Sequence, residues 1–228
     1  MKIAKLLFVT FVMLVPPSVR AANIIDSIYG IGAGSFEVPG FSGPTFVTYA
    51  AGSTAITGWT VNTLNIDWVK NSVWNASNGS YSIDMNGTPG GPGGLETVIP
   101  TTIGSTYRVT FDIAGYLTAG SNTNPKVMKS VAGGITTIYN LTATQSYNQP
   151  FSLPLAVNWS TRSFDFVATS MSSKVSFVSL VANDGSAMLL DNVSIEAVPE
   201  PGAAALLGAG AFCLILRRRR QIRFSPAL

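Results

Sequence analysis

From Tyr107 to Ile113 the chain alternates without a break: Tyr107, Val109, Phe111 and Ile113 are apolar, and Arg108, Thr110 and Asp112 between them are polar. Two is the period of a β-strand, so this segment buries one face against a core and keeps the other polar. The alternation recurs at Tyr81-Ile83-Met85, Phe164-Phe166, Val175-Phe177 and Asp191-Val193-Ile195. Turn chemistry separates these runs, at Asn86-Gly87, Gly90-Gly91, Gly93-Gly94, Gly133-Gly134 and Asp184-Gly185. No long amphipathic helical pattern interrupts them and no internal repeat is present. The expected fold is therefore all-β: an antiparallel β-sandwich of the jelly-roll kind, with about eight to ten strands over one core.

Composition narrows the chemistry. The 228 residues include no His, which removes the usual general base, the Ser-His and Cys-His nucleophile pairs, and imidazole metal ligands. A single Cys213 excludes an internal disulfide and a thiolate zinc cluster. Only 11% of residues are charged, against roughly 25% in an ordinary soluble domain. The net charge of +3 hides a strong asymmetry, because eight of the 14 basic residues lie at the two ends. Ala22 to Pro201 keeps six basic residues against all 11 acidic ones, a balance of −5. That acidic body does not suit nucleic acid.

The ends themselves read as export signals. Residues 1–21 have Lys2 and Lys5, an apolar run from Leu6 to Val15, a Pro16-Pro17 break, and Val19 and Ala21 before the expected cut, which is the pattern of a signal peptide. At the other end, residues 202–216 are apolar, and Arg217, Arg218, Arg219 and Arg220 follow at once. Fifteen residues make a helix of only about 22 Å, so this is a short transmembrane segment with its arginines held on the cytoplasmic side. The body then faces away from the cytoplasm.

Pro199-Glu200-Pro201, the apolar stretch and the arginine cluster, in that order, resemble the PEP-CTERM sorting tail of exported bacterial proteins. The resemblance covers residues 198–220 and leaves 221–228 as a short basic extension. It implies recognition of Pro199, Glu200 and Pro201 by a membrane-embedded exosortase, passage through an inner-membrane-anchored precursor, and delivery of the body to the cell surface or beyond.

Residues 22–197, the body, carry a second resemblance. Gly34-Ser35-Phe36-Glu37, Gly58-Trp59, Asn65-Ile66-Asp67-Trp68-Val69, Trp74, the run from Gly79 to Gly87, Tyr107 to Gly115, and Leu190-Asp191-Asn192-Val193-Ser194-Ile195 resemble the choice-of-anchor C family in their order. That family looks like a galactose-binding-type jelly roll akin to carbohydrate-binding modules. It implies a structural calcium at Glu37 and Asp191, with the Gly34 carbonyl as a further ligand, since hard oxygens in flexible geometry suit that ion. The alternative is that Glu37 caps a turn and Asp191 belongs to a strand.

Sugar recognition needs aromatic faces beside polar groups that fix hydroxyls. Trp68 and Trp74, which flank polar turns, are the expected exposed platforms, whereas Trp59 after Gly58 is expected in the core. Asp84 and Asn86 point either at a ligand or into an Asn-Gly turn. The stretch from Thr88 to Gly94 lacks the Lys of a phosphate-binding loop. Asp112 and Asp165 lie on outward strand faces, but no spacing sets them across a cleft as a glycosidase would require. The expected function is non-enzymatic binding of extracellular polysaccharide. The alternatives are a structural matrix or adhesion protein that binds no sugar, and a carbohydrate-active enzyme.

Overall fold

The computed structural model describes residues 22–118, 124–147, 154–181 and 188–199. The expected signal peptide 1–21, the expected transmembrane stretch 202–216, Glu200, Pro201 and Arg217 to Arg220 lie outside the described residues. Among the described residues no helix is long and apolar enough to cross a membrane.

Among the described residues twelve strands form two sheets, more than the eight to ten expected. The seven-stranded sheet contains β1 (Phe46–Ala50), β3 (Asn65–Lys70), β4 (Tyr81–Asp84), β12 (Met188–Ala197), β6 (Thr106–Thr118) and β10 (Ser160–Val167) in that spatial order, with β9 (Gln145–Tyr147) added beside β6. The five-stranded sheet runs β2 (Thr60–Thr63), β5 (Gly94–Pro100), β11 (Ser172–Ser179), β7 (Lys126–Ala132), β8 (Ile135–Leu141). Neighbours in both sheets are antiparallel, and β9 lies parallel to β6. The antiparallel sandwich is thus present as expected.

The alternating residues do what their period demands. Val109, Phe111 and Ile113 of β6 meet Val175 and Phe177 of β11 in one buried cluster. Phe111 sets its ring edge-on to Phe177 at 4.9 Å and to Tyr139 of β8 at 5.1 Å, joining the sheets. One alternation is broken. A bulge between Asp191 and Ser194, with Asn192 at φ 52°, shifts the register of β12 on β6. Asp191 therefore stands opposite Asp112 on the outer face, while Val193 and Ile195 turn inward.

A short helix, α1 (Ile24–Tyr29), closes the entrance to the core. Its N-cap Asn23 accepts from the Ile25 amide at 3.2 Å and also ties to β12, donating to the Val193 carbonyl and accepting from the Ile195 amide.

A second apolar cluster covers the outer face of the larger sheet. Val69, Val73, Trp74, Ala114, Tyr116, Val157 and Leu189 form it, with Leu155 and Trp159 packed against it. Residues 154–159 lie over this face because Leu155 bridges to Trp74, the Val157 amide donates to Asn75 Oδ1 at 2.7 Å, and Trp159 Nε1 donates to the Asn75 carbonyl at 2.8 Å.

Candidate functional site

Two constellations share the outer side of the seven-stranded sheet. The first grips the turn before β4. Asp191 Oδ2 accepts the amides of Ser77 and Asn78 at 2.7 and 2.9 Å, and Glu37 Oε1 accepts those of Ser80 and Tyr81 at 2.8 and 2.9 Å. Gly79 sits between the two pairs at φ 75°, and a Cβ there would come within 2.5 Å of the Glu37 carboxylate. Only glycine fits on both counts. Asp112 joins from beside Asp191, accepting from Ser77 Oγ, Asn192 Nδ2 and Thr161 Oγ1.

Glu37 and Asp191 hold two halves of one turn and the Gly34 carbonyl is tied to β12; the visible partners of all three are amides. Asp191 Oδ1 accepts from the Asn192 amide, and the Gly34 carbonyl accepts from Val193 N at 2.9 Å. Asp191 is wholly buried, and that burial pushes its carboxyl up to about 8 against the pull of its three amides, with the nearby Glu37 charge raising it further. Among the described residues no three His, Cys, Asp or Glu side chains gather as a metal site. The oxygens that keep lone pairs are Glu37 Oε2, Asp191 Oδ1 and the Gly34 carbonyl: hard donors of the kind calcium takes, but fewer than its usual six to eight.

The second constellation is a cleft of about 150 Å³ lined by Thr45, Phe46, Asp67, Val69, Val73, Trp74, Asp84, Thr88 and Tyr116. Asp67 and Asp84 stand opposite each other across β3 and β4. Thr48 Oγ1, the Thr88 amide and Thr88 Oγ1 all donate to Asp67. Tyr116 donates its hydroxyl to Asp84 Oδ2 at 2.6 Å, and the Asn86 amide donates to Asp84 Oδ1 at 2.9 Å. Burial nonetheless pushes the Asp84 carboxyl up to about 7; those hydrogen bonds pull against it, and the Asp67 charge adds to the rise.

Both expected platforms need correction. Trp68 is 1% exposed, donates Nε1 to the Phe36 carbonyl at 3.0 Å, and packs in the core against Phe41 and Tyr81. Its neighbours Asp67 and Val69 occupy the outer face, so strand parity sends Trp68 inward. Trp74 is 4% exposed, with Nε1 bonded to Ser82 Oγ and its ring 5.2 Å from Tyr116. It forms part of the cleft wall but offers no open ring face, because residues 154–159 cover it. Asn86 is also buried, donating Nδ2 to the Val181 carbonyl instead of facing the cleft, and the tight turn falls at Gly87–Gly90. Trp59 fills the core as expected.

Asp84 remains in the cleft, and the open aromatic is Phe46, 40% exposed. Sequence reading passed over Phe46, Thr45, Thr88 and Asp67. Parity along Asn65–Lys70 already sets Asp67 opposite to Trp68, whereas Phe46 follows a Gly-Pro stretch with no periodic signal. Asp112 and Asp165 form no pair across a cleft: Asp165 is bound by Arg108 through two 2.8 Å contacts, which holds its carboxyl low, while Asp112 belongs to the turn network. Pro199 is exposed just beyond β12.

A family model described as "Protein of unknown function (DUF642)" matches residues 30–196, and the PEP-CTERM protein-sorting motif matches residues 197–220. Halomucin of Haloquadratum walsbyi is 30% identical over 156 residues, 68% of this chain but 2% of Halomucin's own length. Similar solved structures include TmCBM61 in complex with β-1,4-galactotriose (13% identity, 78% of this chain and 100% of that one, TM-score 0.41). The CBM22-1 xylan-binding domain from Paenibacillus barcinonensis Xyn10C is another (14% identity, 68% and 94%, TM-score 0.39). The strand topology, rather than these distant likenesses, carries the fold.

Proposed function

Because the chain belongs over residues 30–196 to the DUF642 family and runs straight from that domain into a PEP-CTERM sorting motif, we propose that it is an exosortase-sorted surface protein whose sandwich binds extracellular polysaccharide without catalysis. The sorting motif implies export and a destination at or beyond the cell surface. The signal peptide and the short C-terminal anchor, with its passage through the inner membrane, are parts of this proposal, as is kinship with the choice-of-anchor C family.

One observation supports the binding reading above the others: the exposed Phe46 ring stands at a cleft whose inner surface presents the Asp67 and Asp84 acceptors. A pyranose lays its C–H face on an aromatic ring while its hydroxyls donate to carboxylates. Affinity electrophoresis of the full chain through gels holding neutral polysaccharides tests it. Retention is expected, and Phe46→Ala is expected to weaken it about tenfold, the equivalent of roughly 1.4 kcal/mol. A chain that migrates identically with and without every polymer refutes the reading.

A structural calcium at Glu37, Asp191 and the Gly34 carbonyl is a second proposal, supported by the convergence of two distant chain segments, residues 34–37 and Asp191, on the turn at residues 77–81. The ion would supply rigidity to residues 77–81 and no chemistry.

A further inference from the structure

We infer that the cleft accepts uncharged, hydroxyl-rich glycans and turns away polymers bearing uronate or sulfate groups. The inference rests on the carbohydrate-binding reading above and adds the charge of the ligand to it.

The reason lies in what the cleft can offer a ligand. Its inner donors are engaged, the Tyr116 hydroxyl on Asp84, the Thr88 amide and hydroxyl on Asp67, and Trp74 Nε1 on Ser82, which leaves the Thr45 hydroxyl at the rim. Each Asp84 oxygen accepts one of those bonds, at Oδ1 from Asn86 and at Oδ2 from Tyr116, so each keeps a lone pair. What the floor presents is therefore acceptor capacity, which sugar hydroxyls fill by donating. An anionic sugar carries acceptors of its own and, above about pH 7 where Asp84 is ionised, brings a like charge beside two aspartates.

Among the described residues no Lys or Arg lines the cleft to offset that repulsion. The cation whose field reaches Asp84 is Lys126, wholly buried on β7 of the opposite sheet. The next positions along the same outer face hold Asp112 and Asp191, paired across β6 and β12. Above about pH 8, where Asp84 and Asp191 are ionised, the field over this face is negative, in keeping with the charge balance of the whole body. Phe46 completes the selection, since an exposed phenyl ring favours an apolar pyranose face over a hydrated carboxylate.

The test compares retention of the full chain with Arg217 to Arg220 and Arg223 replaced by Gln, so that the basic tail cannot bind a polyanion, in detergent micelles at pH 8 and low salt, by neutral galactan and by polygalacturonate. Galactan is expected to retain it and polygalacturonate to leave it free. Retention by polygalacturonate equal to or stronger than by galactan overturns the inference alone, whereas no retention by either polymer removes the carbohydrate reading and this inference with it. Asp67 holds too many bonds to be a safe variant, so the second arm uses Thr45→Lys at the exposed rim. That change is expected to create polygalacturonate retention that high salt abolishes. A variant that gains nothing toward polygalacturonate shows that charge does not govern entry, and overturns the inference.

Discussion

Glu37 and Asp191, from opposite ends of the domain, hold one turn between them: Asp191 takes the amides of Ser77 and Asn78, and Glu37 those of Ser80 and Tyr81. The turn joins the N-terminal entry, β4 and β12 into one unit, and its position is fixed by acceptors rather than by apolar packing. Removing one acceptor leaves two amides without a partner. Glu37→Ala is expected to cost about 1–2 kcal/mol, because Ser80 is exposed and water replaces part of the loss. Asp191→Ala, at a wholly buried site with three amides, is expected to cost more, about 3 kcal/mol. Urea titrations of both variants check the order; equal stability losses would show that burial does not set the strength of the grip.

The same two residues test the proposed calcium. An ion that binds the folded chain raises Tm by mass action. Calcium is expected to raise Tm of the wild type, and chelator to reverse it. Glu37→Gln keeps an oxygen for the Ser80 and Tyr81 amides but loses the charge, so it is expected to fold with little loss and to respond weakly to the ion. A wild type whose melting ignores calcium leaves the amide grip as the whole role of these carboxylates.

Stability should also depend on pH in a direction opposite to that of salt-bridged proteins. Burial raises the carboxyl of Asp84 to about 7 and that of Asp191 to about 8, whereas both return to near 3.9 in the unfolded chain. Across that interval the folded state binds protons that the unfolded state releases. Their contribution is therefore complete below about pH 4 and is lost as pH rises through 7 and 8. Two carboxylates act the other way. Burial pushes Glu96 up, but Lys174 and Asn62 outweigh it, and Arg108 holds Asp165 down. Both contribute above the usual carboxylate range and lose that contribution in acid, by small amounts because their surroundings are open to solvent. Unfolding free energy is expected to peak near pH 4 and to fall by several kcal/mol toward pH 8. Asp84→Asn should flatten the part of the fall below pH 7. A profile that climbs from pH 5 to pH 8 would show that these two buried acids are ionised in the folded protein.

What the sequence disclosed, and what it hid, follows from how local each signal is. Period-two alternation needs only neighbours, and the inward residues of β6, β10 and β11 were legible from it. The Asp191-Val193-Ile195 run was misleading because a bulge is a two-strand feature: Asn192 leaves the ladder only in relation to β6. Glu37 and Asp191 were legible as neighbours through family resemblance, but their amide partners belong to a turn that no local rule connects to either. The two tryptophans failed for separate reasons. For Trp68, parity was available and polar flanks were weighed instead. For Trp74, the cover comes from residues 154–159, far along the chain, so no reading of its surroundings in sequence exposes its burial.

That difference in cover separates two aromatic variants on one cleft. Trp74 is packed against Tyr116, bonded to Ser82 and bridged to Leu155, so its removal opens a hole under the segment that lies across the sheet. Trp74→Ala is expected to cost about 3–5 kcal/mol and to loosen residues 154–159, with any loss of glycan retention following from that damage. Phe46 is 40% exposed on the edge strand β1, and little structure leans on it. Phe46→Ala should therefore leave the urea midpoint within about 1 kcal/mol of wild type while weakening glycan retention. Denaturation and affinity electrophoresis on the same two samples give the contrast. If Phe46→Ala unfolds as readily as Trp74→Ala, the ring serves the fold, and if it retains glycan as well as wild type, the binding surface lies elsewhere on the sandwich.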